Sequence, residues 1–236
     1  IIDFGLSYDA KHLDIPAYIK EESKPFGICV PFYIPWTIET ILLSYLAQEL
    51  QGKGSHINEE KLKMPFDKLN MFKELCDQYV KKHGLLQSKK LFKEEEKVEY
   101  NKMLHSWVES WKGKTWRDVW VILSNSNKTW DNYSLCALYL IEMQISGLLQ
   151  ISNIHEDEHN SFLKKYVLVL KKEMLAKPSE RSLPEITRKE LHSIFSQANK
   201  TEYKNTMQKF KILLSENKTK IKKERLSYNM DTMQEE

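Results

Sequence analysis

TWDNYSLCALYLIEMQISGLL, residues 129–149, decides how the rest of the chain is to be folded. From Leu135 to Ile141 it is apolar on every side of a helical wheel, which predicts a buried central helix rather than a surface one. Asp131 at its start can cap backbone amides, with Trp130 and Leu135 as anchors. Glycine is scarce, seven in 236 residues, and apolar residues elsewhere mostly recur at helical spacing, so the chain is expected to be mainly α.

Upstream of that segment, residues from about 53 to 126 are rich in Lys and Glu and carry three amphipathic patterns. PFDKLNMFKELCDQYVKKHG has Phe66, Leu69, Phe72, Leu75 and Tyr79 in phase and ends at Gly84; SKKLFKEEEKVEYNKMLHSWVESWKG opens with Ser88 as a candidate cap; TWRDVWVILS opens with Thr115. The Lys/Glu runs read as solvated helix faces. Earlier still, WTIETILLSYLAQEL places Ile38, Ile41, Leu42, Tyr45 and Leu46 on one face, an amphipathic helix ending near Gln51-Gly52. From Gly5 to Pro35 no period is sustained, which indicates a long irregular segment, and Ile1-Ile2 reads as the end of a strand.

Downstream, HNSFLKKYVLVLKKEML is amphipathic and AKPSERSLPEI is a Pro- and Ser-punctuated loop. Thr187 with Glu190 suggests a capping box opening the next helix. After Asn199 the chain is Lys-rich and sparsely apolar, one marginal helix from Glu202 to Leu214 and then a disordered tail.

Composition excludes several classes. Lys plus Arg (36) nearly balance Asp plus Glu (33), which gives no argument for a nucleic-acid partner. No stretch approaches the length of a membrane span, and the first residues are no signal peptide. Cys29, Cys76 and Cys136 form no CxxC pair and suit free thiols in a reducing, intracellular setting. Asn-x-Ser/Thr at Asn127, Asn132, Asn199 and Asn217 is weak evidence for secretion in an Asn-rich chain.

His155-Glu156-Asp157-Glu158-His159 matches HExxH, in which two imidazoles a helical turn apart hold zinc and the glutamate acts as base. Its context is wrong for that chemistry. Asp157 and Glu158 are acidic where an active-site helix carries apolar groups, and His192 is the one histidine further on. A solvated acidic helix start is the expected reading.

Four motifs agree with one another. IIDFGLS (1–7) puts Asp3 at a strand end, where a carboxylate can hold Mg²⁺ beside nucleotide phosphates, with Phe4 packed below and Gly5 free to turn. PWTIE (35–39) supplies Glu39, and KPSER (177–181) places Arg181 in a loop where it can pair with a buried carboxylate, Glu39 being the candidate. WDNYSL (130–135) opens the apolar helix. In chain order, IIDFGLS, PWTIE, WDNYSL and KPSER resemble the C-terminal lobe of the protein kinase family, over residues 1–50 and 129–198, and most resemble the divergent serine/threonine kinase-like proteins of large DNA viruses.

The resemblance implies that Asp3, Phe4 and Gly5 are the DFG motif, with Asp3 the Mg²⁺ ligand beside ATP. It further implies that residues 5–35 are the activation segment, with Ser7, Tyr18, Ser23 and Tyr33 as possible phosphorylation sites. Glu39 stands near the place of the A-P-E glutamate, Asp131 starts the central helix, and Arg181 pairs with Glu39. Pro35 and Glu39 are separated by WTI rather than contiguous, and about eighty residues lie between Glu39 and the central helix. No glycine-rich loop, strand lysine or H-R-D-x-x-x-x-N segment occurs.

The expected organisation is therefore 1–50 as the start of the kinase lobe, 51–128 a helical insertion, 129–198 the central and terminal helices, and 199–236 a charged helix and tail. The N-terminal lobe is absent, which makes the chain the C-terminal part of a longer kinase cut before its metal aspartate, inactive alone and acting, when whole, on a protein substrate. Its expected location is intracellular, the host cytoplasm or virion if the chain is viral. The alternative is a pseudokinase or scaffold, motivated by Trp107, Trp111, Trp116 and Trp120; their spacing more simply ties the insertion to the lobe.

Overall fold

The computed structural model describes residues 34–51, 58–151, 161–213 and 215. Eight helices are bounded as α1 (Ile38–Gln51), α2 (Glu59–Lys63), α3 (Leu69–Lys82), α4 (Glu94–Glu109), α5 (Trp116–Ser124), α6 (Trp130–Ile145), α7 (Phe162–Leu175) and α8 (Pro184–Gln197). Residues 200–213 form α9. Among the described residues there is no strand, only an isolated bridge between Pro65 and Thr115. The fold is mainly α, and no described helix is long and apolar enough to cross a membrane.

Helix pairs build outward from α1, which packs on α3 and α5. Helix α3 lies along α4, α2 touches α5, and α6, α7 and α8 form a second group. One apolar cluster runs through both groups, from Ile38 and Leu42 of α1 through Phe72 of α3 and Trp120 of α5 to Tyr133 and Leu140 of α6 and Leu170 of α7. Residues 58–124 are thus packed into the same core as the flanking helices. Phe66, Phe72, Trp107, Trp111 and Trp116 supply its densest part, with rings edge to face at 4.9–6.2 Å.

Two helices exchange the roles expected of them. Helix α1 is buried on nearly every side, its polar Glu39, Thr40 and Ser44 included. Local bonds make this possible: the Thr40 hydroxyl donates to the Thr37 carbonyl (2.8 Å) and the Ser44 hydroxyl to that of Thr40 (2.9 Å). Helix α6, expected to be wholly buried, covers only one face, with Tyr133, Cys136, Ala137, Leu140 and Met143 inside. Leu135, Leu138 and Tyr139 stand 43%, 39% and 51% exposed, a stripe at i, i+3 and i+4. Leu135 is no anchor; the buried side packs on α7 and α8, with Tyr133 reaching Tyr79 of α3.

Helix ends follow side-chain chemistry where it is available. Thr115 caps α5, accepting from Asp118 N–H at 3.2 Å while Asp118 accepts from Thr115 N–H at 2.9 Å. Thr115→Ala should lower stability by about 1 kcal/mol, read as a shifted urea midpoint with an unchanged slope. Ser161 caps α7 through Lys164 N–H (3.1 Å), and Gly147, at φ 82°, ends α6 in the left-handed conformation. Three expected starts move. Ser88 lies in a turn ahead of α4, whose N-cap is Lys93, with its N–H donated to Glu96 (2.8 Å). Helix α8 starts at Pro184, whose missing N–H suits the first turn, which leaves Thr187 inside the helix and not at its cap. At α6 the cap position falls on Thr129, whose hydroxyl bonds the Ser126 carbonyl (2.8 Å), so Asp131 is a first-turn residue facing solvent and caps nothing there.

Candidate functional site

Glu39 and Arg181 lie 142 residues apart and meet at the centre of the helical assembly. Nη1 of the guanidinium donates to Oε1 at 2.7 Å and Nη2 to Oε2 at 3.2 Å, a two-pronged pair with both side chains fully buried. Nη1 also reaches the Thr129 hydroxyl (3.4 Å), and the guanidinium lies 5.1 Å from the Tyr133 ring. Burial works to lower the arginine's pKa, but the charge and hydrogen bonds of Glu39 outweigh it and hold Arg181 above its ordinary value. The guanidinium is permanently charged, which fits an architectural cross-link rather than proton transfer.

The loop between α7 and α8 is built to present Arg181. Its backbone turns on Lys177, whose carbonyl accepts from Glu180 N–H (2.8 Å) and Arg181 N–H (3.1 Å). Glu173 of α7 accepts from Ser182 N–H (2.9 Å). Asn132 Nδ2 of α6 then donates to the Ser182 carbonyl (3.0 Å) and the Thr187 hydroxyl (2.9 Å), with Glu173 Oε2 3.3 Å from the same nitrogen. Asn132, the second residue after Trp130 and one of the Asn-x-Ser/Thr positions, is therefore buried and spoken for in this fold.

A second polar group continues from the first. Tyr133 bonds Tyr79 hydroxyl to hydroxyl, and its oxygen lies 3.3 Å from His83 Nε2. His83 Nδ1 accepts from Leu86 N–H (3.3 Å), which puts the proton on Nε2, where it is donated to the Ile34 carbonyl (3.1 Å). Burial pushes the Tyr79, Tyr100 and Tyr133 phenols well up. Burial pushes the His83 imidazole down to about 4, so it is neutral near pH 7. Sequence patterning gave His83 no role beyond preceding a helix-ending glycine, and nothing in the spacing of Asn132, Tyr133 or Glu173 separates them from ordinary core and surface positions.

Asp131 is not brought to this centre. Asp3, Phe4 and Gly5, the phosphorylatable hydroxyls of residues 7–33, Cys29 and the His155–His159 motif lie outside the described residues. Among the described residues no three His, Cys, Asp or Glu side chains converge as a metal-binding group. Cys76 and Cys136 are free and buried, each thiol pushed up to about 12 chiefly by burial, and neither is a poised nucleophile. A depression of roughly 440 Å³ between α4 and the end of α7 has an apolar floor of Tyr100, Met103 and Leu175 and a rim of Glu95, Glu96 and Glu99. Glu96 is already bound to the buried Lys171 at 2.9 Å, so the rim is not a free acidic cluster.

Comparison with family models, with curated proteins and with solved structures finds no match.

Proposed function

We propose that this chain is the C-terminal part of a serine/threonine protein kinase-like protein, which when whole transfers the γ-phosphoryl group of ATP to hydroxyls of a protein substrate. The observation that carries the reading is the Glu39–Arg181 pair, because its two partners are the ones that the kinase resemblance couples across more than half the chain. In such a lobe the pair would hold the segment before α1 against the loop after α7. Asp3 would bind Mg²⁺, which neutralises phosphate charge when present.

The open stripe of Leu135, Leu138 and Tyr139 favours a second reading, a pseudokinase or scaffold that binds a partner without chemistry. Titration of Mg·ATP against the product of the complete reading frame separates the two. Saturable binding and phosphoryl transfer, both abolished by Asp3→Ala, are expected of the kinase. Partner binding without any nucleotide affinity would leave the scaffold.

A further inference from the structure

We propose that the end of α3 is a clasp: His83 and Gly84, with Ser134 of α6, grip the peptide at Ile34–Pro35 and so fix how the chain enters α1. The helical unit 58–124 then positions Glu39 and the Ile34–Pro35 peptide ahead of it, and His83 is its positioning residue. This concerns the fold and stands under either functional reading.

Two consecutive carbonyls ahead of a helix have no intrahelical partner, so side chains must satisfy them. The structure supplies one from each side. His83 Nε2 donates to the Ile34 carbonyl (3.1 Å) and the Ser134 hydroxyl donates to the Pro35 carbonyl (2.6 Å). The Ile34 side chain is buried, and its Cδ1 lies 3.3 Å from where a Cβ on Gly84 would sit. A side chain at position 84 would press on the peptide that the neighbouring imidazole holds. Through Tyr133 the clasp reaches the ion pair, since one face of that residue meets His83 and Tyr79 while its ring lies against Arg181. Three stretches distant in sequence, 34–35, 79–86 and 133–134, are joined by one imidazole and its neighbours.

Around the imidazole stand the Tyr79 ring of α3 (5.0 Å), the Tyr133 hydroxyl of α6 and the Ile34 carbonyl; the Glu39–Arg181 pair beyond Tyr133 neutralises itself. A second proton would fall on Nδ1, where Leu86 N–H already points. Because the folded value, about 4, lies below the ordinary 6.5, the clasp holds fully above pH 6.5 and loosens as pH falls toward 4.

Hydrogen exchange of the intact chain, read on peptides covering residues 34–42 and on α4 and α7 as references, tests the clasp. His83→Leu should raise exchange in 34–42 by about tenfold or more with the references unchanged, while His83→Gln, whose amide can still donate to Ile34, stays near wild type. Corrected for intrinsic rates, wild-type exchange in 34–42 should rise about twentyfold from pH 7 to pH 5, and that of His83→Gln should not. Wild-type exchange in His83→Leu, equal loosening of all peptides, or a pH response shared by His83→Gln would each overturn the proposal. If His83→Leu does not fold, the pH comparison of wild type with His83→Gln decides.

Discussion

Arg181→Leu should lower the unfolding free energy by about 3–5 kcal/mol, among the largest effects of any single substitution in this chain. The leucine itself is tolerable in an apolar interior; what it leaves behind is not. Glu39 is fully buried in α1 with both carboxylate oxygens turned to the guanidinium, and with the partner gone it is left as an unpaired polar group in an apolar interior. Arg181→Lys should fall between the two, since an ammonium keeps the charge but cannot form two parallel bonds to the carboxylate. Urea unfolding at pH 7 measures all three proteins.

Trp111→Ala should cost about 3–5 kcal/mol and abolish no separate transition. Trp111 has no exposed surface and lies edge to face with Phe66, Phe72 and Trp107, at 6.2, 6.0 and 4.9 Å. Removing the indole opens a void among rings that helices α3 and α4 hold at fixed spacing, so collapse is incomplete. Because the same apolar cluster continues into α1 and α6, helices on either side should melt together with α3–α5 in one step. Val121→Ala, at a surface position of α5, provides the contrast and should change stability by no more than about 0.5 kcal/mol. Two resolved transitions, with only the first moved by Trp111→Ala, would mean that residues 58–124 form a core of their own.

How much of this was legible beforehand depends on what each residue needed from its neighbours. Mainly α character followed from spacing alone, as did the Thr115 cap, because both are local. The Glu39–Arg181 contact was legible for a different reason: each residue is a charge in an otherwise apolar or loop context, and a buried charge requires an opposite one. Burial of whole helices was not legible. Helix α6 is apolar all round and yet half exposed, while α1 carries Glu39, Thr40 and Ser44 and is nearly enclosed. Periodicity reports how a helix differs between its faces, whereas enclosure depends on which helices pack against it, and that is tertiary information.

The remaining misreadings have the same origin. Thr187 and Glu190 have the spacing of a capping box, but Pro184 starts α8 a turn earlier and Thr187 turns inward to Asn132. Ser88 has the right chemistry for a cap, yet its carbonyl closes a turn onto Leu91 and Phe92, and α4 begins only at Glu94. His83 was invisible because its partners, Ile34 and Tyr133, come from 49 residues upstream and 50 downstream. Side chains that bond across the fold carry no local signature of doing so.

The central claim is that Glu39 and Arg181 act as one cross-link between α1 and the loop after α7. A double-mutant cycle with Glu39→Gln and Arg181→Met, read by urea unfolding at pH 7, measures it. A coupling energy of about 2 kcal/mol or more is predicted, with the double variant less destabilised than the sum of its parents. A coupling below about 0.5 kcal/mol, the level of independent sites, would contradict the account.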